Sequence, residues 1–207
     1  MRNSENKEAS YAILGFGKIG HALARAFARK DIEVSVATTR DPESFAADAA
    51  AIGSTIIPTT LSEAVKADVI FLAVRFESHP DVAKALPSWL GKIIVDVTNT
   101  YAMSSDELGG RSSARVVAQA FTGGKVVKGF NHLGAAILAQ DPAVHGGRRV
   151  VFLASDDDNA ATQISTLAYN LGFAPINLGG ISEGGLLVQS HGNTWGQLIF
   201  KDLVKFN

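Results

Sequence analysis

The chain has 207 residues, 46% of them hydrophobic, enough to bury a core and matching one domain in length. Its 19 basic and 20 acidic residues leave a formal charge of −1 with no basic run, so nucleic acid is not an expected partner. Cysteine is absent, which excludes disulfides, thiolate metal sites, cysteine nucleophiles and iron–sulfur clusters. The first eight residues are polar and lack the apolar stretch of a signal peptide, and no apolar run reaches membrane-spanning length. The expectation is a cytoplasmic protein with no membrane partner and a loose tail over 1–9.

From there the pattern alternates strand and helix. A strand over 11–15 leads into a helix over 18–29. A second strand covers 32–38, followed by a helix around 42–51. A short third strand covers 54–57, and Ser62 is the expected cap of a small helix before Asp68. Residues 69–74 contain no polar side chain, as suits a strand buried on both faces of a parallel sheet. A helix near 80–89, a strand at 92–97, a helix at 112–121 and a strand at 125–130 come next. Strands at 149–154 and 174–178 flank a helix over 157–171, whose start the acidic run Asp156–Asp158 favours. The end, 186–207, reads as a C-terminal helix. The fold expected is α/β: one doubly wound Rossmann domain over 10–207, with a mostly parallel sheet of about eight strands and a short C-terminal helical extension.

The first strand runs into Gly15-Phe-Gly17-Lys-Ile-Gly20, a G-x-G-x-x-G turn that opens directly into a helix. That context points to a dinucleotide site, the alternative being a plain tight βα turn of an α/β protein. Gly15 serves the tight turn, Gly17 lets the backbone approach a pyrophosphate, and Gly20 lets helix and strand pack closely. The helix start offers free N–H groups and a positive dipole end to the anion. The end of the second strand selects the dinucleotide. Sites for NAD usually carry an Asp or Glu there, about 20 residues past the glycines, for the ribose 2′-OH. This chain has Thr38, Thr39 and Arg40, whose hydroxyls and guanidinium can bind and neutralise a 2′-phosphate. The cofactor expected is NADP(H). Alternatively, Arg40 is a solvated loop cation, and Thr39 or Asp41 caps the helix near Pro42.

In a doubly wound sheet, ligands bind beyond the carboxyl ends of the strands. This points to the loops Val74–Pro80, Asp96–Thr100 and Gly129–Ala135. Arg75 is either a phosphate or carboxylate contact or a surface cation. Asn99 and Asn131 are either ligand contacts or turn residues bonded to their own backbone. Among the histidines, His132 and His191 are the plausible site members. Asn131 and His132 are the candidates for a catalytic role. No pair has the i, i+4 spacing of a metal site, no metal is expected, and no G-x-S-x-G elbow is present. No Tyr-x-x-x-Lys arrangement is present, and no second substrate domain is expected. Hydride transfer between nicotinamide and a flavin-like ring asks less of the protein, which needs mainly to stack two flat cofactors and exclude water.

Several segments carry a family likeness: Ile13–Gly20, Thr38–Arg40, Asp96–Asn99, Val126–Asn131, Ser155–Asp158 and Leu171–Gly179. With these, the chain resembles the NADPH-dependent deazaflavin reductases typified by the coenzyme F420:NADP oxidoreductases, and is similar to the cytosolic reductase domains of six-transmembrane metalloreductases. The resemblance implies a compact, commonly dimeric Rossmann protein. It implies that Gly15, Phe16, Gly17, Lys18 and Ile19 meet the pyrophosphate and that Thr39 and Arg40 meet the 2′-phosphate. Val74, Arg75, Asn99 and Asn131 would lie near the ribose and nicotinamide. A flavin or deazaflavin acceptor would stack near 131–136 and the C-terminal segment. The chain departs from the family at Arg75-Phe76, where a proline-containing loop is expected, and at Asn131, where some members have histidine. Those differences leave the acceptor open among deazaflavin, FMN or FAD, a quinone and a small carbonyl compound. Two alternatives remain: an NADP-binding sensor without turnover, and a small imine or 3-hydroxyacid-type reductase completed by dimerisation.

Overall fold

A computed structural model describes residues 9–101, 103, 106–190 and 201–206. In chain order the elements are β1 (Tyr11–Leu14), α1 (Lys18–Ala28), β2 (Val34–Ala37), α2 (Ala46–Ile52), β3 (Ile56–Pro58), α3 (Leu61–Ala64), β4 (Val69–Leu72), α4 (His79–Ala83), β5 (Ile93–Asp96), α5 (Ser113–Ala120), β6 (Lys125–Gly129), α6 (Ala135–Leu138), β7 (Ala143–Val144), β8 (Gly147–Ser155), α7 (Asp158–Asn170), β9 (Ala174–Asn177), α8 (Gly184–Leu187) and β10 (Val204–Lys205). Strands β3-β2-β1-β4-β5-β6 form a parallel run. Strand β8 joins β6 antiparallel and carries β9 in parallel and β7 and β10 antiparallel. Strand order reverses at β1, with β2 on one side and β4 on the other, and a crevice opens beyond their carboxyl ends.

Period-two alternation divides the central strands between two cores. Ile13, Phe71, Val95 and Val127 face one cluster with α1 and α7. Ala12, Leu14, Ile70, Leu72, Ile94 and Val126 face the other, with Val117 and Phe121. Every residue of β4 and β5 is buried, as the apolar runs Val69–Leu72 and Ile93–Val95 require, and the charged Asp96 that ends β5 is buried with them. On the first face the rings of Phe27, Phe71, Phe130 and Phe173 meet edge-on in succession at 5.5, 5.7 and 5.8 Å. Phe130 leaves β6 with φ of +58°, an unusual conformation for a bulky residue, held here by packing between Phe71 and Phe173.

Several element boundaries differ from the sequence expectation for identifiable reasons. The helix expected over 80–89 stops at Ala83, because Trp89 turns back into the core, donates from its indole N–H to the Ala83 carbonyl at 2.9 Å and packs on Phe121. The cap of α3 is Thr60 rather than Ser62: Thr60 Oγ1 accepts from the Glu63 N–H. Asp157 caps α7 by accepting from the Ala160 N–H at 2.8 Å. The C-terminal helix expected over 186–207 is corrected only among its described residues, 186–190 and 201–206. Residues Gly184–Leu187 form one helical turn, and Val204–Lys205 pair as β10 with Arg148 and Arg149 of β8. The edge of β8 offers unpaired backbone groups that a strand can satisfy and a helix cannot. Residues 191–200, which include His191, and the tail up to residue 8 lie outside the described residues. The short strand β7 was also unforeseen. It closes on β8 through His145 (φ +48°) and Gly146 (φ +84°), two left-handed residues that suit a tight hairpin.

Candidate functional site

The glycine turn is built as a backbone device. Gly15 has φ of +100° and donates its N–H to the Ala37 carbonyl at 2.8 Å, joining the ends of β1 and β2. A Cβ at Gly15 would strike the Ala73 carbonyl, and one at Gly20 would strike the Gly15 carbonyl. Gly17 differs from both: a Cβ there would meet nothing within 4 Å. It is the N-cap of α1, with no side chain capping the helix and no acidic residue in the first turn. An open space therefore lies against uncapped helix N–H groups and the positive end of an eleven-residue helix, which fits a dinucleotide pyrophosphate.

Below the turn, Phe16 is buried between two rings. It stacks on His21 at 3.9 Å and 18° and meets Phe45 at 5.7 Å. His21 Nδ1 lies 2.9 Å from the Gly17 carbonyl, which makes this histidine a part of the turn. The Arg40 guanidinium sits 5.5 Å from the Phe45 ring centroid. Thr38 Oγ1 accepts from the Arg40 N–H at 2.9 Å, shaping the loop, while Thr39 and Arg40 are exposed. Asp41 carries no capping bond from its side chain.

Beside the turn runs a cleft of about 740 Å³. Its walls are Gly17–Ile19 from the turn, Ala73–Ser78 after β4, Val97–Asn99 and Tyr101 after β5, and Leu133–Ala135 after β6. Val74 and Arg75 are among these lining residues, with Arg75 exposed at the rim. Thr38, Thr39 and Arg40 sit outside this cleft, at the end of β2.

Asn99 and Asn131 come together, but mainly with each other. Asn131 Nδ2 donates to Asn99 Oδ1 at 3.0 Å and to the Val188 carbonyl at 2.7 Å. Asn99 Nδ2 donates to the Asn131 carbonyl at 2.9 Å and to the Tyr101 hydroxyl at 3.0 Å. Asn131 is 2% exposed and stands behind the cleft wall rather than in it. His132 is fully buried, 4.9 Å from the Phe152 ring, and also outside the cleft. Burial pushes its pKa down to about 4, against the weaker pull of the Val150 backbone and of Asp202, so it is neutral at neutral pH.

Sequence reasoning missed what stands under the β5 loop. Asp96 Oδ1 accepts from the Thr98 N–H at 2.9 Å and from its hydroxyl at 2.7 Å. Asp96 Oδ2 pairs with the Lys128 ammonium at 3.1 Å, and the same ammonium donates to the Thr98 carbonyl. Both charged side chains are fully buried, and desolvation lowers the Lys128 pKa against the pull of Asp96. The available signal was a lysine interrupting the apolar strand 125–130 beside the aspartate that ends β5. Tyr101 was also overlooked, although an aromatic residue two positions past Asn99 in a carboxyl-end loop is a readable cue.

Residues 10–100 match the family model described as NADP oxidoreductase, coenzyme F420-dependent. A hypothetical protein of Sinorhizobium meliloti superposes with a TM-score of 0.88 at 37% identity, over 95% of this chain and 96% of that one. Over residues 10–100 the chain is therefore similar to the coenzyme F420-dependent NADP oxidoreductase family. A candidate F420-dependent NADP-reductase from Arthrobacter sp. FB24 superposes at 0.67 with 25% identity, over 84% of this chain and 86% of that one. The rat metalloreductase STEAP3 is 32% identical over 180 residues, covering 86% of this chain and 35% of that protein. The chain thus spans about a third or less of the length of the curated metalloreductases it matches. A reductive aminase from Aspergillus terreus, at 17% identity and a TM-score of 0.64, shares the fold. The family is one of NADP-dependent oxidoreductases with a Rossmann-like α/β fold. Among the described residues, no helix is long and apolar enough to cross a membrane.

Proposed function

We propose that the protein transfers hydride between NADP(H) and a flavin-like or small oxidised acceptor held in the cleft beside the glycine turn. The observation that carries this reading is the continuity of the uncapped α1 N-terminus with that cleft. The backbone N–H groups at the start of α1 bind the pyrophosphate, and the open space at Gly17 admits it. Thr39 and Arg40, exposed at the end of β2, bind the 2′-phosphate. Val74, Val97, Leu133 and Ala135 give flat apolar walls against which rings stack and from which water is excluded. The bound cofactor supplies the hydride. The Asp96–Lys128–Thr98 cluster and the Asn99–Asn131 pair keep the wall in shape. The protein works as a homodimer in the cytoplasm.

Arg40→Ala tests the cofactor half of the proposal. NADPH binding should weaken by about 1–3 kcal/mol, as for loss of a charge-assisted contact, while NADH binding scarcely changes. Equal losses for both cofactors would remove Arg40 from the 2′-phosphate site. NADPH oxidation in the presence of deazaflavin, FMN, FAD, quinones or aldehydes tests the other half. Micromolar NADPH binding with no turnover on any of them would favour a binding module without catalysis.

A further inference from the structure

We propose that Arg75 and Ser78 form a seat for an anionic group of the second reactant, and that this seat selects a flavin-type acceptor carrying a phosphate. This rests on the reading of the cleft as a hydride-transfer site and adds the residues that choose among acceptors. Both side chains line the cleft. The Ser78 N–H donates to the Arg75 carbonyl at 3.0 Å, closing a turn that keeps their Cα atoms within about 7 Å. Among the described residues the Arg75 guanidinium has no ion pair, hydrogen bond or ring partner, and the Ser78 hydroxyl has no hydrogen bond. Glu77, between them, also lines the cleft but pairs with neither Arg75 nor Lys18. Exposed cations elsewhere are engaged: Lys66 and Lys84 pair with Glu63 and Asp81 at 2.6 and 2.8 Å.

The turn is fixed from below. Phe76 is 2% exposed and packs into the second core with Leu72 and Ala83. Its ring lies 4.7 Å from that of the buried His79, and its carbonyl accepts from His79 Nδ1 at 2.5 Å. The backbone under Arg75 is thus anchored while its side chain is exposed, so an anion bound there orders little more than one side chain. A planar guanidinium beside a hydroxyl places several donors together, which suits the oxygens of a phosphate. The cofactor leaves this seat free. On the reading above, its pyrophosphate lies at the start of α1, and its 2′-phosphate lies at Thr39 and Arg40, outside the cleft. The donors left on the cleft wall therefore serve the other reactant.

The test uses the full chain loaded with NADP+, which cannot reduce a flavin. FMN and riboflavin, which differ by one phosphate, are the probes, followed by quenching of flavin fluorescence. NADP+ affinity is measured alongside by calorimetry. The wild-type protein should bind FMN about tenfold more tightly than riboflavin, as for a charge-assisted contact. Arg75→Gln should bring FMN down to the level of riboflavin. Ser78→Ala should weaken FMN about threefold, as for loss of one neutral hydrogen bond. Riboflavin affinity, NADP+ affinity and melting temperature should match wild type in both variants. Equal binding of the two flavins by the wild type, or binding of neither, overturns the proposal and leaves the cofactor site standing. Unchanged FMN affinity in either variant overturns it as well. Loss of NADP+ affinity in Arg75→Gln in step with FMN would assign Arg75 to a phosphate of the cofactor and overturn it. Failure of NADP+ to bind the wild type overturns the hydride-transfer reading and this proposal with it.

Discussion

The two sides of the cleft are built on opposite plans. On the α1 side the chain presents backbone: a glycine turn, an uncapped helix start and open space at Gly17, with Thr39 and Arg40 exposed beyond it. On the β5–β6 side the polar side chains are mostly satisfied by one another. Asp96, Thr98 and Lys128 form one closed cluster, and Asn99 pairs with Asn131, whose Oδ1 is buried without a hydrogen-bond partner. The first side leaves the N–H groups of the α1 start without a side-chain cap. The second uses its hydrogen-bonding capacity to hold a wall, and turns Val97, Leu133 and Ala135 to the cleft. Recognition of an anion needs unsatisfied donors, whereas stacking of rings needs a surface that does not move.

Substitutions should separate the two plans. The largest effect is expected at Lys128. Lys128→Met leaves Asp96 buried without its cation and should cost about 3–5 kcal/mol in urea unfolding, with part of the loss recovered by adding Asp96→Asn. A cost below about 1 kcal/mol would mean that the cluster does not hold the wall. Next comes His132, whose pKa is about 4 folded against an ordinary 6.5. Between those values the unfolded chain binds the extra proton, so stability should fall as pH drops from 6.5 towards 4. The total is about 3 kcal/mol, and it is absent above pH 7. His132→Phe should flatten that slope, and an unchanged slope would assign the pH dependence to other groups. The smallest effect on stability is expected at Gly17→Ala, within about 0.5 kcal/mol, because a Cβ there meets only open space. The same variant should bind NADPH at least about tenfold more weakly, a difference read by thermal shift with and without NADPH. Stability lost without any change in NADPH affinity would mean that the space at Gly17 is not where the pyrophosphate lies.

The legible parts of the molecule are those in which neighbours in sequence make the structure. The alternation of strands and helices, the unbroken apolar run of β4 and the turn Gly15–Gly20 are local patterns, and they gave the Rossmann-like sheet and its crevice. Asp157 capping α7 is likewise local. Asn99 and Asn131 were recognised as important, but as separate residues. Their mutual pairing spans 32 positions and depends on β5 and β6 lying side by side. The described residues near the C-terminus differ from the expected helix for the same reason. Nothing in their local pattern announces that the edge of β8 is free to take Val204 and Lys205 as a strand.

By itself the sequence determined the fold class and the glycine turn, because each depends on spacing within a short stretch. Only the tertiary structure decided which polar groups remain available. It turned Asn131 and His132 inward, put Lys128 and Asp96 under the β5 loop and left Tyr101 on the rim. Whether a side chain reaches a ligand depends on what else competes for its hydrogen bonds, and those competitors come from strands and loops far away along the chain.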